Sequence, residues 1–279
     1  MSDIQAISEG LKLGDDGIWY SSESEVVSYP QDGNKDCLNI EDNSFWFKHR
    51  NNCIVSIVKA FQPESNGTIF DIGGGNGFVS LGLTEAGFDM VLVEPGRFGA
   101  SNAKSRGLND VICATTDKAK FNKGTLPAVG LFDVIEHIED DIDFLKLIRD
   151  QMKKNGRLYA TVPSYKFLWS AEDDYAGHFK RYTLNNLSSA LISAGFEVQF
   201  SSYIFRFLPL PIFLFRTLPY KLGLSKAERK PESACRDHVA QGGIGAGILS
   251  LLLRSEINNL SNKKAMKLGG SCIIVATNP

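Results

Sequence analysis

Three glycines at alternate positions follow an apolar stretch and form the first group of residues that could do chemistry. The chain reads Asp71-Ile72-Gly73-Gly74-Gly75-Asn76-Gly77 and then enters a helical pattern. Glycine permits positive φ angles and close approach of a ligand, and the first turn of a helix offers unpaired N–H groups. Phe78 stands where a dinucleotide fingerprint needs Gly or Ala. The loop therefore favours a nucleotide-type ligand other than a dinucleotide, with a plain strand-to-helix turn as the alternative.

An acidic residue stands where the ribose of such a ligand would lie. Glu94 ends the second predicted strand, roughly 20 residues beyond the loop, the spacing at which a carboxylate accepts hydrogen bonds from a ribose diol. We expect Glu94 to bind the ribose of an adenosyl ligand.

Two of the four histidines stand among other polar residues that could take part in a reaction. His137 follows Glu136 in the sequence DVIEH, and His178 lies in the connection AEDDYAGHFKRYT. A histidine titrates near neutrality and can act as a base. We therefore predict His178, Arg181 and Tyr182 as catalytic residues.

Each histidine also has an alternative interpretation. His178, Arg181 and Tyr182 could instead tie their loop to the acidic residues Glu172, Asp173 or Asp174. Asp133, Glu136 and His137 could hold a divalent cation, since carboxylates and imidazoles are common metal ligands. We expect no metal, because the same residue types also occur in sites without one.

The elements that must position these residues alternate between apolar strands and helix-length segments. Parallel strands need helix-sized connections, so the alternation predicts an α/β fold with a doubly wound, mainly parallel, seven-stranded sheet. The predicted strands are TIFDI, FDMVLVE, DVICA, PAVGLFDV, GRLYATV, FEVQFSSY and SCIIVAT, with helices over 78–86, 96–106, 140–153 and 184–194. A further helix is predicted from Ser44 to just before Pro63.

The pattern divides the chain into four predicted segments. These are an irregular N-terminal arm with its helix (1–66), a core (67–203), an apolar helical insertion (204–262) and the last strand (263–279). The insertion contains FLPLPIFLF and the basic residues Lys226, Arg229 and Lys230. Nine apolar residues are too few to span a bilayer. A lid over the site, a membrane contact through 204–230 and a plain core layer remain open.

The net charge and the cysteine content indicate which partners and which cellular location to expect. Thirty basic and 32 acidic side chains leave a formal charge of −2, so the chain lacks the positive field that drives binding to nucleic acid. Five cysteines form no CxxC pair, which favours reduced thiols in the cytoplasm, with the inner membrane surface as a peripheral location. We expect no nucleic-acid partner.

With these motifs the sequence resembles the class I S-adenosylmethionine-dependent methyltransferases, whose glycine loop has the form D/E-x-G-x-G-x-G. GLFDVIEHI after the fourth strand is a further match. The chain is most similar to the ubiquinone-biosynthesis group with a GHxRRYT-type segment, from which it departs by Lys180.

The resemblance implies S-adenosyl-L-methionine as cofactor and assigns its contacts. The loop would pass the amino-acid part, Arg50 would grip its carboxylate, and Thr115 and Thr116 would lie by the adenine. The implied cofactor residues are Arg50, Asp71, Gly73, Gly75, Gly77, Glu94, Thr115, Thr116, Phe132 and Asp133.

The resemblance also implies the reaction. Methyl transfer is an in-line displacement that depends on positioning, sometimes helped by a base. We expect a small-molecule or lipid-like acceptor, methylated at oxygen. A non-catalytic cofactor-binding regulator and a methyltransferase acting on protein remain alternatives.

Overall fold

The chain folds around one β-sheet. The structure is a computed structural model that describes residues 4–22, 38, 41–42, 44–64, 67–224 and 244–279. Within these residues the strands are β1 (Leu11–Leu13), β2 (Trp19–Ser21), β3 (Ile69–Ile72), β4 (Met90–Val93), β5 (Asp110–Cys113), β6 (Leu126–Phe132), β7 (Met152–Pro163), β8 (Glu197–Ile204) and β9 (Ser271–Thr277).

The sheet order is β1-β2-β5-β4-β3-β6-β7-β9-β8. Strands β3 to β7 are parallel to one another, whereas β9 lies antiparallel between β7 and β8. The doubly wound, mainly parallel sheet and all seven predicted strands are confirmed. Because β3, β4, β6 and β7 run in one direction, their carboxyl ends meet at one edge of the sheet.

The expected strand count of seven is wrong, because the N-terminal arm is more regular than its sequence suggests. Residues 11–21 form a hairpin, and β2 pairs in parallel with β5 through Trp19 and Tyr20. Ile18 is buried beside it against the apolar side of the sheet. Three-residue strands carry too few residues for a period of two to be visible.

Helices cover both faces of the sheet. They are α1 (Ile4–Ile7), α2 (Phe45–Ala60), α3 (Phe78–Glu85), α4 (Arg97–Ser105), α5 (Asp141–Gln151), α6 (Ala171–Ala176), α7 (Leu184–Ser193), α8 (Pro209–Ile212), α9 (Leu218–Lys221) and α10 (Ile244–Ser261). The predicted helices correspond to α2, α3, α4, α5 and α7. Ser44 caps α2 by accepting hydrogen bonds from the amides of Trp46 and Phe47.

Two layers of apolar side chains fill the space between sheet and helices. On one face, Leu145 of α5 and Leu187 of α7 are fully buried. On the other face, Ile54 and Ile57 of α2 and Leu260 of α10 are fully buried. Helix α10 of the insertion is therefore part of the core layer that also contains α2.

The other described part of the insertion leaves apolar side chains in solvent. A π-helical turn, Phe213–Thr217, joins α8 to α9. Phe215 is 70% exposed, Leu210 66% and Leu222 63%. Lys226, Arg229 and Lys230 lie outside the described residues. Across the described chain, no helix combines the length and apolar character needed to cross a membrane.

Candidate active site

The glycine loop takes a conformation that requires glycine. Gly73, Gly75 and Gly77 have φ angles of 72°, 55° and 79°, a region that side chains disfavour. A Cβ atom on Gly73 would also lie 2.8 Å from a methyl group of Val134. The loop therefore runs close against the end of β6 before α3 begins.

Asp71 is a buried carboxyl group directly before this loop. The Ser80 hydroxyl donates to its Oδ2 at 2.6 Å, whereas Oδ1 has no hydrogen-bond partner among the described residues. Burial raises the pKa of Asp71 to about 6, although Ser80 and Arg50 act in the opposite direction. A buried carboxyl group with an unsatisfied oxygen is costly unless a ligand satisfies it.

Glu94 is fixed against the loop by the backbone. Its Oε2 accepts the Gly75 amide at 3.0 Å and its Oε1 accepts the Gly96 amide at 2.8 Å. The side chain is buried at the end of β4. The structure therefore brings the predicted ribose acceptor and the glycine loop together.

Arg50 lies at the end of β6, next to two other predicted cofactor residues. Its Nη2 donates to the carbonyl of Phe132 at 3.0 Å, and its Nε forms an ion pair of 2.8 Å with Oδ2 of Asp133. Asp133 has a φ of 58° and is held by the hydroxyl of Thr161. Helix α2 thus delivers a guanidinium to the carboxyl edge of the sheet.

The predicted adenine residues are less clearly placed. The Thr116 hydroxyl donates to Oε1 of Gln151 at 2.9 Å, and this side chain is buried toward α5. Thr115 is half-buried in the same loop. A role for either residue at the adenine stays a prediction.

Glu136, His137 and His178 converge at the same edge. The imidazole rings of His137 and His178 lie 4.7 Å apart at 75°. One potential ligand atom from each of the three residues lies within 4.8 Å of the others, so the group could hold a metal ion. The sequence motif groups Asp133 with Glu136 and His137, and nothing in it indicates that His178 joins them.

Glu136 is the most deeply buried member of this cluster, and both histidines are half-buried. Glu136 is buried, and its Oε2 has no hydrogen-bond partner among the described residues. Burial and the nearby Asp133 carboxylate raise the pKa of Glu136 well above its usual value. Burial, then His178, lowers the pKa of His137 to about 4, so its ring is neutral at physiological pH.

Asp173 anchors the loop that carries His178. Its Oδ1 lies 2.8 Å from Nδ1 of His178 and accepts the Nε–H of Arg181 at 2.7 Å. Asp173 is fully buried. Burial alone would raise the pKa of Asp173, but hydrogen bonds from His178 and Arg181 outweigh it and lower the pKa.

Asp173 was only one of three candidate tethers in the sequence. It also completes a capping box with Ser170 at the start of α6, and the Ser-x-x-Asp spacing is a visible signal for this cap. That spacing could have singled out Asp173 from its acidic neighbours.

Tyr182 lies apart from this group. Its hydroxyl donates to Oδ2 of Asp141 at 2.7 Å, the ring is buried in the core, and burial raises the pKa of the phenol. These contacts favour a structural role, whereas His178 and Arg181 meet at Asp173.

A row of aromatic side chains, the aromatic wall, joins the insertion to the connection after β7, the same connection that carries His178. The ring of Tyr165 stacks on Phe167 at 5.3 Å and on Tyr203 at 5.1 Å, and Phe167 meets Phe213 at 6.3 Å. The Thr217 hydroxyl donates to the carbonyl of Leu168. Tyr203 and Phe213 are far in sequence from Tyr165 and Phe167, so no local pattern could have indicated the wall.

Comparison with known proteins identifies the family. Residues 46–199 match the family described as "Methyltransferase domain", so the chain belongs to it. No curated protein matches the sequence.

Solved structures share the fold at low identity. A chain of the complex between the Haloferax volcanii Trm112 methyltransferase activator and a methyltransferase is 14% identical, with a TM-score of 0.54 over 89% of this chain and 94% of that one. A possible histamine N-methyltransferase from Thermotoga maritima is 16% identical, with a TM-score of 0.52 over 84% and 93%. Haemonchus contortus phosphoethanolamine N-methyltransferase 2, solved with S-adenosyl-L-methionine, is 17% identical, with a TM-score of 0.53 over 90% and 58%.

The chain is therefore a class I methyltransferase by family and fold, and S-adenosyl-L-methionine is its cofactor. The residues at the carboxyl edge fit this cofactor. Its ammonium and sulfonium groups are cationic, and Asp71 offers an unpartnered buried oxygen beside the glycine loop. Arg50 offers a guanidinium for the carboxylate. The closer similarity to the ubiquinone-biosynthesis group stays a prediction.

Proposed function

We propose that this protein transfers a methyl group to a hydroxyl oxygen of a small-molecule or lipid-like acceptor. The observation that carries the proposal is the contact of the His178 imidazole with the buried Asp173 carboxylate at the carboxyl edge of the sheet. Asp173 belongs to α6, and α6 contacts the apolar insertion through the hydrogen bond that Tyr220 donates to Asp174. The proposed cofactor contacts are those that the family resemblance implies: Arg50 for the carboxylate, Asp71 and the glycine loop for the amino-acid part, and Glu94 for the ribose.

His178 is the group proposed to activate the acceptor. With its Nδ1–H donated to Asp173, the ring would leave Nε2 to take the proton of an acceptor hydroxyl. When bound, the cofactor supplies an electrophilic methyl group on its sulfonium sulfur. Arg181 shares the Asp173 carboxylate and also donates to the carbonyl of Ser164, so it acts as a positioning residue.

The apolar surface supports a lipid-like acceptor. Exposing Phe215, Leu210 and Leu222 to water costs about 25 cal/mol per Å², so a substrate tail or a membrane surface would stabilise this face. The turn at Phe213 packs on Phe167 of the aromatic wall, and Phe167 lies in the same connection as His178. We therefore keep the lid and the peripheral membrane contact as linked parts of one proposal.

Binding and transfer test this function separately. Calorimetry should show binding of S-adenosylmethionine and of its demethylated product, but no binding of NAD. Incubation with the methyl-tritiated cofactor and a total lipid extract of the source organism should move label into the organic phase. Cofactor binding without transfer to lipid, small metabolites or protein would favour a regulator, and label in protein alone would favour a protein methyltransferase.

A divalent cation is a second candidate for activating the acceptor. Glu136, His137 and His178 each offer one ligand atom within 4.8 Å of the others, and Oε2 of Glu136 has no hydrogen-bond partner among the described residues. Asp173 binds Nδ1 of His178, as carboxylates often do for metal-bound histidines. The base proposal expects activity to survive EDTA. Activity that is lost on chelation and restored by Mg²⁺ or Mn²⁺ would replace the base with the cation.

A further inference from the structure

A buried carboxylate in the insertion joins three elements. Glu256 of α10 is 1% exposed. Its Oε2 accepts the Phe205 amide at 2.9 Å and lies 2.9 Å from Nε2 of His49, while Oε1 accepts the Arg206 amide at 2.6 Å. Three donors on one buried carboxylate make a well-satisfied anion. The carboxylate therefore ties α10 to α2 and to the end of β8.

The backbone at this junction is strained. Phe205 has a φ of 60°, which a bulky side chain adopts only when its surroundings impose it. The carboxylate of Glu256 accepts the amides on both sides of that Cα, and the strained conformation aims the Phe205 ring at α2. The Phe205 ring stacks on Trp46 at 5.5 Å with an angle of 2°.

The contacts continue from α2 to the active site. The guanidinium of Arg50 lies 5.4 Å from the centre of the Trp46 ring, and His49, the partner of Glu256, directly precedes Arg50 in the same helix. Arg50 in turn binds Asp133 and the carbonyl of Phe132. Through Phe205 and Trp46 the contacts from Glu256 reach the guanidinium of Arg50, whereas through His49 they fix α2 one residue before Arg50.

We infer that Glu256 is a positioning residue that sets the orientation of Arg50 at the cofactor site. This inference rests on the proposed function only for what Arg50 binds. It assigns the insertion a second role, since α10 supports the cofactor half of the site while α8, α9 and the turn between them cover the acceptor half.

Cys53 offers a different explanation for the same cluster. Its sulfur lies 3.4 Å from Nε2 of His49, and His49, Cys53 and Glu256 could together hold a metal ion. We favour the hydrogen-bonded arrangement, because two backbone amides already bind the Glu256 carboxylate. Stoichiometric zinc in the wild-type protein, absent from a Cys53→Ser variant, would overturn the inference.

The first test compares Glu256→Gln with Ser255→Ala, an exposed neighbour on the same helix. Glutamine keeps the size of the side chain but turns an NH₂ group toward one of the three donors. We expect the affinity for S-adenosylmethionine to fall about tenfold, a common size for coupling between packed neighbours, with turnover at saturating cofactor nearly unchanged. Equal affinities of Glu256→Gln and Ser255→Ala would overturn the inference.

The second test does not depend on the cofactor. Glu256→Gln, Arg50→Lys and the double variant are compared by urea unfolding. If Glu256 positions Arg50, the double variant should lose clearly less than the sum of the two single losses in unfolding midpoint. Additive losses would overturn the inference, whether or not the wild-type protein binds S-adenosylmethionine. Failure of the wild type to bind the cofactor would instead contradict the proposed function.

Discussion

At the scale of single residues, the Glu94 carboxylate accepts hydrogen bonds from the backbone amides of Gly75, in the glycine loop, and of Gly96. Replacement by alanine removes the proposed ribose acceptor and leaves the amides of Gly75 and Gly96 without it. We expect Glu94→Ala to weaken binding of S-adenosylmethionine by about 1–3 kcal/mol, the usual penalty for unpairing buried polar groups. Calorimetry measures this, with Glu85→Gln, an exposed acid at the end of α3, as the control. Unchanged affinity of Glu94→Ala would show that Glu94 does not bind the ribose.

Asp71 makes a prediction about pH. Burial raises the pKa of Asp71 from 3.8 to about 6. At a pH between these two values, Asp71 keeps its proton in the folded state and has lost it in the unfolded chain. Ionising Asp71 therefore costs stability as the pH rises through this window, and the cost, on the order of 3 kcal/mol, persists at higher pH.

The uncharged variant Asp71→Asn lacks this cost. Without cofactor it should gain stability relative to the wild type between about pH 4 and pH 7, while its cofactor affinity falls because the anionic partner is lost. Urea unfolding at both pH values and calorimetry check the two effects. A variant whose stability relative to the wild type does not improve as the pH rises contradicts the raised pKa.

Replacing His178 distinguishes a catalytic role from a structural role as a tether of its loop. Loss of a general base lowers the rate by roughly 10²- to 10⁴-fold, so we expect His178→Ala to lose turnover while keeping its cofactor affinity and most of its stability. Lys180→Ala is the matched control, because Lys180 belongs to the same loop and makes a partly exposed ion pair with Asp141 that contributes little. Full activity with a lowered unfolding midpoint would show that His178 is a tether.

At the scale of elements, the segment from α8 to α9 carries the apolar surface. Phe215→Ser and Leu210→Ser should reduce flotation of the protein with anionic phospholipid vesicles, because each removes exposed apolar area. Ile192→Ser on α7 is the control, because it also replaces an exposed apolar side chain and lies outside the insertion. Ile192 is 61% exposed. Equal loss in all three variants would indicate nonspecific adsorption, and no flotation of the wild type would leave only the lid and the core layer.

Local pattern explains which elements could be predicted. Strands β3 to β9 stand out as apolar runs, and helices α2, α3, α4, α5 and α7 have helical spacing and length, so the sequence indicated them. The hairpin of β1 and β2 is too short to show one. Its stability comes from pairing with β5, an interaction across about 90 residues that no local window contains.

At the scale of the whole molecule, only part of the candidate site could be predicted from the sequence. The glycine loop and Glu94 were predictable, because a motif and a strand end place them. The convergence of His178 on Glu136, and of Glu256 on His49, depends on which distant elements pack together. Tyr182 differs from these residues, since its hydroxyl is bound to Asp141 in the core, and a catalytic role for Tyr182 stays a prediction.

The position of β9 has a consequence for the order in which the molecule can assemble. Within the described sheet, β8 pairs with β9 alone, and β9 follows the other described strands in sequence. During synthesis, β8 and the insertion must therefore wait for residues 271–277 before they can join the sheet, and the edge of β7 stays open until then. Long-range closure of this kind is slow and exposes strand edges to other chains, so the nascent protein is most prone to misassembly just before synthesis of β9 is complete.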